Sequence, residues 1–83
     1  MPHFKKKIQT IYGYAEFVFD RLFAGGGASY HVAVLDKNKK TCVFNMEVLN
    51  GIWHIQYIPN LSEWILQLEG ELSDVILKRN DFR

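Results

Sequence analysis

Eighty-three residues are the length of one domain, and a chain that is 48% hydrophobic and 14% aromatic can build a core without staples. Charged residues at 23% exclude wholesale disorder. A net charge of +1 and a pI near 7.9 exclude a generally basic nucleic-acid binder, for which a domain pI above about 9 is typical.

Residues 4–23 read as a helix. Phe4, Ile8, Ile11, Tyr12, Ala15, Val18, Phe19, Leu22 and Phe23 fall in one arc at about 100° per residue, with Gln9, Gly13, Glu16 and Asp20 opposite. Alternation with period two is confined to the piece from Glu16 to Arg21. Gly13 costs a helix interior about 1 kcal/mol against alanine. Gly25, Gly26 and Gly27 then end the helix and let the chain turn. They follow a helix and precede a strand, the wrong end for a phosphate cradle, so they read as a connector.

Residues 30–36, 41–49 and 52–58 read as strands. Asn50-Gly51 predicts a two-residue type I′ hairpin, because both turn positions need positive φ. The register that follows pairs Leu49 with Ile52, Val48 with Trp53, Met46 with Ile55 and Phe44 with Tyr57. Glu47 with His54 and Asn45 with Gln56 take the other face. The earlier turn, Asp36-Lys37-Asn38-Lys39-Lys40, admits several loop lengths. The preferred register sets Tyr30, Val32 and Val34 beside Cys42, Phe44 and Met46 on the core face. A change of one residue in the loop would choose His31, Ala33 and Leu35 instead.

Pro59 precedes a second helix over 61–79, with Asn60 as N-cap and Glu63 completing a capping box. Leu61, Trp64, Ile65, Leu68, Leu72, Val75 and Ile76 form its core stripe. Lys78 and Arg79 suit its C-terminus, and the tail Asn80–Arg83 is read as fraying. The expected fold class is α+β: a single two-layer domain over 1–83, ordered α-β-β-β-α. A three-stranded antiparallel sheet carries both helices on one face. That order resembles the double-stranded RNA-binding domain in topology. The family grips phosphates with lysines at the start of its second helix. Here that start is Asn60-Leu61-Ser62-Glu63-Trp64, so its binding residues do not carry over.

No catalytic set emerges. His3, His31 and His54 have no metal-type spacing to one another or to Cys42, and His54 facing Glu47 reads as a solvent-facing ion pair. Cys42 reads as a small buried hydrophobe with no base beside it. As the single cysteine it allows no internal disulfide and fits a reducing, cytoplasmic setting. The longest apolar candidates carry charges well inside the roughly 20 residues a spanning helix needs, so no membrane partner is expected. The start has the outline of a signal peptide, but Gln9, Gly13, Glu16, Asp20 and Arg21 interrupt its apolar stretch. No enzyme activity, cofactor or metal is expected.

Apolar residues left off the core define the expected interface. Phe17 lies off the arc of the first helix, and Leu66 and Leu77 share a stripe with Gly70 and Ser73. Leu35, Val43, Ile52 and Ile58 share the sheet face opposite the core. The reading is a non-catalytic interaction module whose partner is another protein or itself, as a weak homodimer. The alternative is a weak nucleic-acid binder using Lys37, Lys39 and Lys40, with Lys5, Lys6 and Lys7 as a second basic group.

Overall fold

The computed structural model describes residues 3–24 and 27–79. Where a helix is expected over 4–23, the chain forms a hairpin of β1 (His3–Thr10) and β2 (Gly13–Ala24). Phe4 lies opposite Phe19, Lys6 opposite Phe17 and Ile8 opposite Ala15. The cause is local. Thr10 Oγ1 donates to the Gly13 carbonyl at 2.7 Å and accepts from the Tyr12 amide at 3.0 Å. Gly13 has φ of +101°, where any other residue would be strained. The residue that weakens a helix here therefore makes a turn. Thr10, Tyr14, Phe17, Val18 and Phe19 around it are β-branched or aromatic and favour the pleated state.

β3 (Gly27–Leu35), β4 (Thr41–Leu49) and β5 (Ile52–Ile55) follow. The five strands pair antiparallel in chain order and curl into a half-barrel, which replaces the expected three-stranded layer. Gly25 and Gly26 lie outside the described residues; the connector expected there leads from a strand, with Ala24 paired to Gly27. The loss of the first helix also removes the topological likeness to the double-stranded RNA-binding domain.

The later hairpins keep the expected pairing. Leu49 meets Ile52, Val48 meets Trp53 and Met46 meets Ile55, across a turn with φ of 56° at Asn50 and 82° at Gly51. The Asp36 turn is a three-residue loop. The Asp36 amide donates to the Lys40 carbonyl and the Lys39 amide to the Asp36 carbonyl, both at 2.9 Å. Lys39 takes the left-handed position at φ of 65°. Asp36 Oδ1 also accepts from the amides of Asn38 and Lys40 at 2.8 Å. This loop sets Tyr30 against Met46, Val32 against Phe44 and Val34 against Cys42, as preferred from the sequence. β5 is shorter than expected. Its pairing ends with the Gln56 amide donating to the Asn45 carbonyl, and Tyr57, expected in the core opposite Phe44, is 83% exposed.

Over 61–79 the expected single helix is two: α1 (Glu63–Leu66) and α2 (Glu69–Arg79). Ser62, not Asn60, takes the N-cap, with extended backbone at φ of −62° and ψ of 140°. Asn60 has φ of +69° and sits in a turn before it. At the end of α1 the Leu68 amide donates back three residues to Ile65, a tightened turn that closes the first helix. The core stripe survives the break. Ile65, Leu72 and Ile76 are buried, with Leu61, Trp64, Leu68 and Val75 packed against them. They meet Phe17, Phe19, Tyr30, Val32, Val34, Phe44, Met46, Trp53 and Ile55 from the concave sheet face. Stacked and edge-on rings link the strands: Phe4 to Phe19 at 4.7 Å, Phe19 to Tyr30 at 6.2 Å, and Tyr30 to Trp53 at 5.2 Å. Each pair adds about 0.5–1.5 kcal/mol beyond burial.

The two edges of the half-barrel are treated differently. At β5 the Trp53 amide donates to Ser73 Oγ at 2.9 Å and the Ile55 amide to Glu69 Oε2 at 2.7 Å. Residues 69 and 73 are four apart on α2, about 6 Å along its axis. Residues 53 and 55 are two apart on a strand, about 6.7 Å. The repeats match, so one helix face supplies the acceptors a missing sixth strand would have supplied. Ser73→Ala leaves a buried amide without an acceptor. It is expected to cost about 1–3 kcal/mol, read by urea unfolding, and to speed hydrogen exchange at Trp53.

Candidate functional site

Among the described residues the other edge, β1, has no such cover. Among the described residues no hydrogen bond reaches its outer side from α2. Alternate residues of an antiparallel edge strand turn their amides and carbonyls away from the sheet, a template for a further strand. Beside that edge runs a groove of about 820 Å³ between β1 and α2, lined by Phe4, Lys5 and Lys6 and by Glu71, Asp74, Val75, Lys78 and Arg79. Phe4 and Val75 are half-buried and form its apolar floor, with the Arg79 guanidinium 5.0 Å from the Phe4 ring. The charged side chains around them are exposed. In the register Lys6 shares the concave side with Phe4 and Ile8, and Lys5 and Lys7 the convex side, with Lys5 also at the rim of the groove.

The interface residues expected from the sequence divide into groups. Phe17 is fully buried on the concave face, so it is core and not interface. Leu66 and Leu77 are exposed, but Ser73 between them is buried against the β5 edge, so the four do not form an open stripe. Leu35, Val43 and Ile52 are exposed on the sheet face opposite the core, whereas Ile58, expected there too, is exposed but lies beyond β5 and so is not on the sheet. They do not form one patch. Val43 and Ile58 line one shallow cavity with Cys42. Ile52 sits with Leu49 at the far end of β4, beyond Asn45 and Glu47.

A polar row crosses the same convex face. His3 Nδ1 is 3.9 Å from Asp20 Oδ1, Asp20 pairs with His31, and His31 Nδ1 is 3.0 Å from Asn45 Oδ1. His54 lies opposite Glu47 in the register, yet its Nδ1 contact, at 3.7 Å, is to Glu69 Oε2. Among the described residues no group of three or more His, Cys, Asp or Glu is placed to hold a metal ion. Lys37, Lys39 and Lys40 project from the Asp36 turn, and Lys37 Nζ sits 4.6 Å over the Tyr12 ring. They are not continuous with Lys5, Lys6 and Lys7, which run along a strand.

Cys42 is half-buried, its Sγ 3.8 Å from the Lys40 carbonyl. Burial pushes the thiol up from its ordinary value of 9.0, and Asp36 adds to the rise against an opposing effect of Lys40. The thiolate is thus disfavoured in the folded chain. Iodoacetamide at mildly alkaline pH is expected to alkylate the native chain more slowly than the urea-unfolded chain, as read by mass spectrometry. The raised value also means that this group's share of stability is present below pH 9.0 and is lost as the pH climbs through the folded value.

The β1 edge has a legible sequence signal that helical reading hides. The signal is the run Lys5-Lys6-Lys7 rather than any alternation, since Lys6 interrupts the phase of Phe4 and Ile8; lysines on an edge strand discourage pairing with like-charged chains. No protein family matches the chain, no curated protein matches its sequence, and no solved structure matches its fold. No helix among the described residues is long and apolar enough to cross a membrane.

Proposed function

We propose that this chain is a non-catalytic protein-interaction module that takes up an extended segment of a partner on the β1 edge. One observation carries the reading. α2 supplies acceptors along β5, while among the described residues nothing pairs with the outer side of β1, which runs next to a groove. Strand addition uses such an edge for backbone hydrogen bonds and the neighbouring groove for alternate side chains. The cytoplasmic location expected by default from the sequence belongs to the same reading. The test is a phage-displayed random peptide library panned against the whole chain. Enriched peptides should shift amide resonances along β1 and α2 and slow hydrogen exchange on β1. Failure to enrich, or shifts confined to other strands, overturns it.

Self-association through the convex face is the second reading, favoured by the exposure of Leu35 and Val43 on neighbouring strands. The convex shape and the polar row both restrict the area two copies can share, so a weak dimer is the most this face supports. Val43→Lys should keep the fold and abolish any concentration-dependent mass seen in sedimentation. A wild type that stays monomeric at millimolar concentration removes this reading.

A further inference from the structure

We propose that the segment taken up at β1 is acidic, with carboxylates at alternate positions; this rests on strand addition at β1 and adds its chemistry. A strand laid along β1 brings residues directly opposite one another, with Cβ atoms about 4.5–5.5 Å apart, where opposite charges attract and like charges repel. Lys5 and Lys7 are exposed on the convex side, two residues apart, and face two successive side chains of the same side of the added strand. Lys7 has Glu16 on its β2 side, whereas Lys5 has Val18 there, so Lys5 is the less compensated of the two. On the groove side, Lys6, Lys78 and Arg79 surround the floor, against Glu71 and Asp74. The groove holds four cations, Lys5, Lys6, Lys78 and Arg79, against two carboxylates, and Lys7 with its neighbour Glu16 lies beside it, in a chain whose net charge is +1. Side chains pointing inward meet Phe4 and Val75 and can be apolar.

The same residues disfavour a second copy of this chain as the occupant. Antiparallel pairing of two β1 strands about Lys6 would set Lys6 opposite Lys6 and Lys5 opposite Lys7, six lysines in one strand pair.

The experiment titrates the isotope-labelled full chain with three capped peptides of alternating sequence: Glu-Val, Thr-Val and Lys-Val. The Glu-Val peptide is expected to shift β1 and α2 amides and to bind about tenfold more tightly than Thr-Val at low salt, the gap closing as salt rises. In the double variant Lys5→Glu/Lys7→Glu the preference should reverse toward Lys-Val, a gain that misfolding cannot mimic. Equal binding of Glu-Val and Thr-Val along β1 overturns the acidic preference and leaves strand addition standing. No shift along β1 with any peptide overturns both. A thymidine oligonucleotide that displaces Glu-Val and binds more tightly overturns the choice of a peptide.

Discussion

Phe17→Ala should lower the free energy of unfolding by about 3–5 kcal/mol, the range for truncating a core aromatic. Phe17 is 0% exposed, lies between Lys6 of β1 and Val34 of β3, and meets Trp64 edge-on at 6.4 Å. The loss combines transfer of the ring from water with the cavity left between sheet and α1. Tyr14→Ala is the control. Tyr14 is in the same strand and 73% exposed, so its loss should fall within about 0.5 kcal/mol. Urea unfolding of both variants decides between strand and helix. In a helix over 4–23, Phe17 would lie off the core arc and Tyr14 at its edge, and the two costs would be similar and small.

Trp53→Ala is expected to cost about as much, roughly 3–5 kcal/mol. Trp53 is 5% exposed and stands edge-on to Tyr30 at 5.2 Å, at the end of the ring series that begins with Phe4. Its backbone amide is also the one held by Ser73. The indole and the amide therefore act at one place: the ring packs on the sheet while the amide docks α2 to the edge. Trp53→Ala and Ser73→Ala share that junction, so their costs should not add, and a double-mutant cycle should return a coupling of about 0.5 kcal/mol or more. Additive costs would mean that the indole and the bond from the Trp53 amide to Ser73 act independently.

The Asn50-Gly51 hairpin was legible because turn chemistry and face pattern are both local. Positive φ at two positions chooses the turn, the turn fixes the register, and the register sorts Met46 and Trp53 from Glu47 and His54. The stripe Ile65, Leu72, Ile76 was legible because a helical period persists over several turns. The break between α1 and α2 was not, since Gln67 and Leu68 carry no glycine or proline to mark it.

The first hairpin satisfies a helical period in its sequence for a physical reason. A separation of four residues is even, so it keeps side chains on one face of a strand, and it is also about one helical turn. Phe4 with Ile8 and Ala15 with Phe19 satisfy both periods. The residues that separate the two are those at odd spacing. Ile11 and Tyr12 are exposed at the turn, Val18 and Leu22 face outward, and Phe17 faces in. Gly13, read as a flaw within a helix, was the marker of the reversal.

What the sequence by itself determined is the α+β class, the turn at Asn50 with the pairing of Leu49, Val48 and Met46 across it, and the apolar stripe of the C-terminal helices; it preferred the register of the Asp36 hairpin without fixing it. Those follow from φ preferences and side-chain period, which act over a few residues. The tertiary structure decided how the first twenty residues pair, which edge α2 covers and which it leaves open. Those choices depend on contacts such as Trp53 with Ser73 and Phe4 with Arg79, each joining residues far apart in the chain. Local preference between helix and strand is worth about 1 kcal/mol per residue or less. Burying Phe17 and Phe19 in a shared core is worth several times that and overrides it.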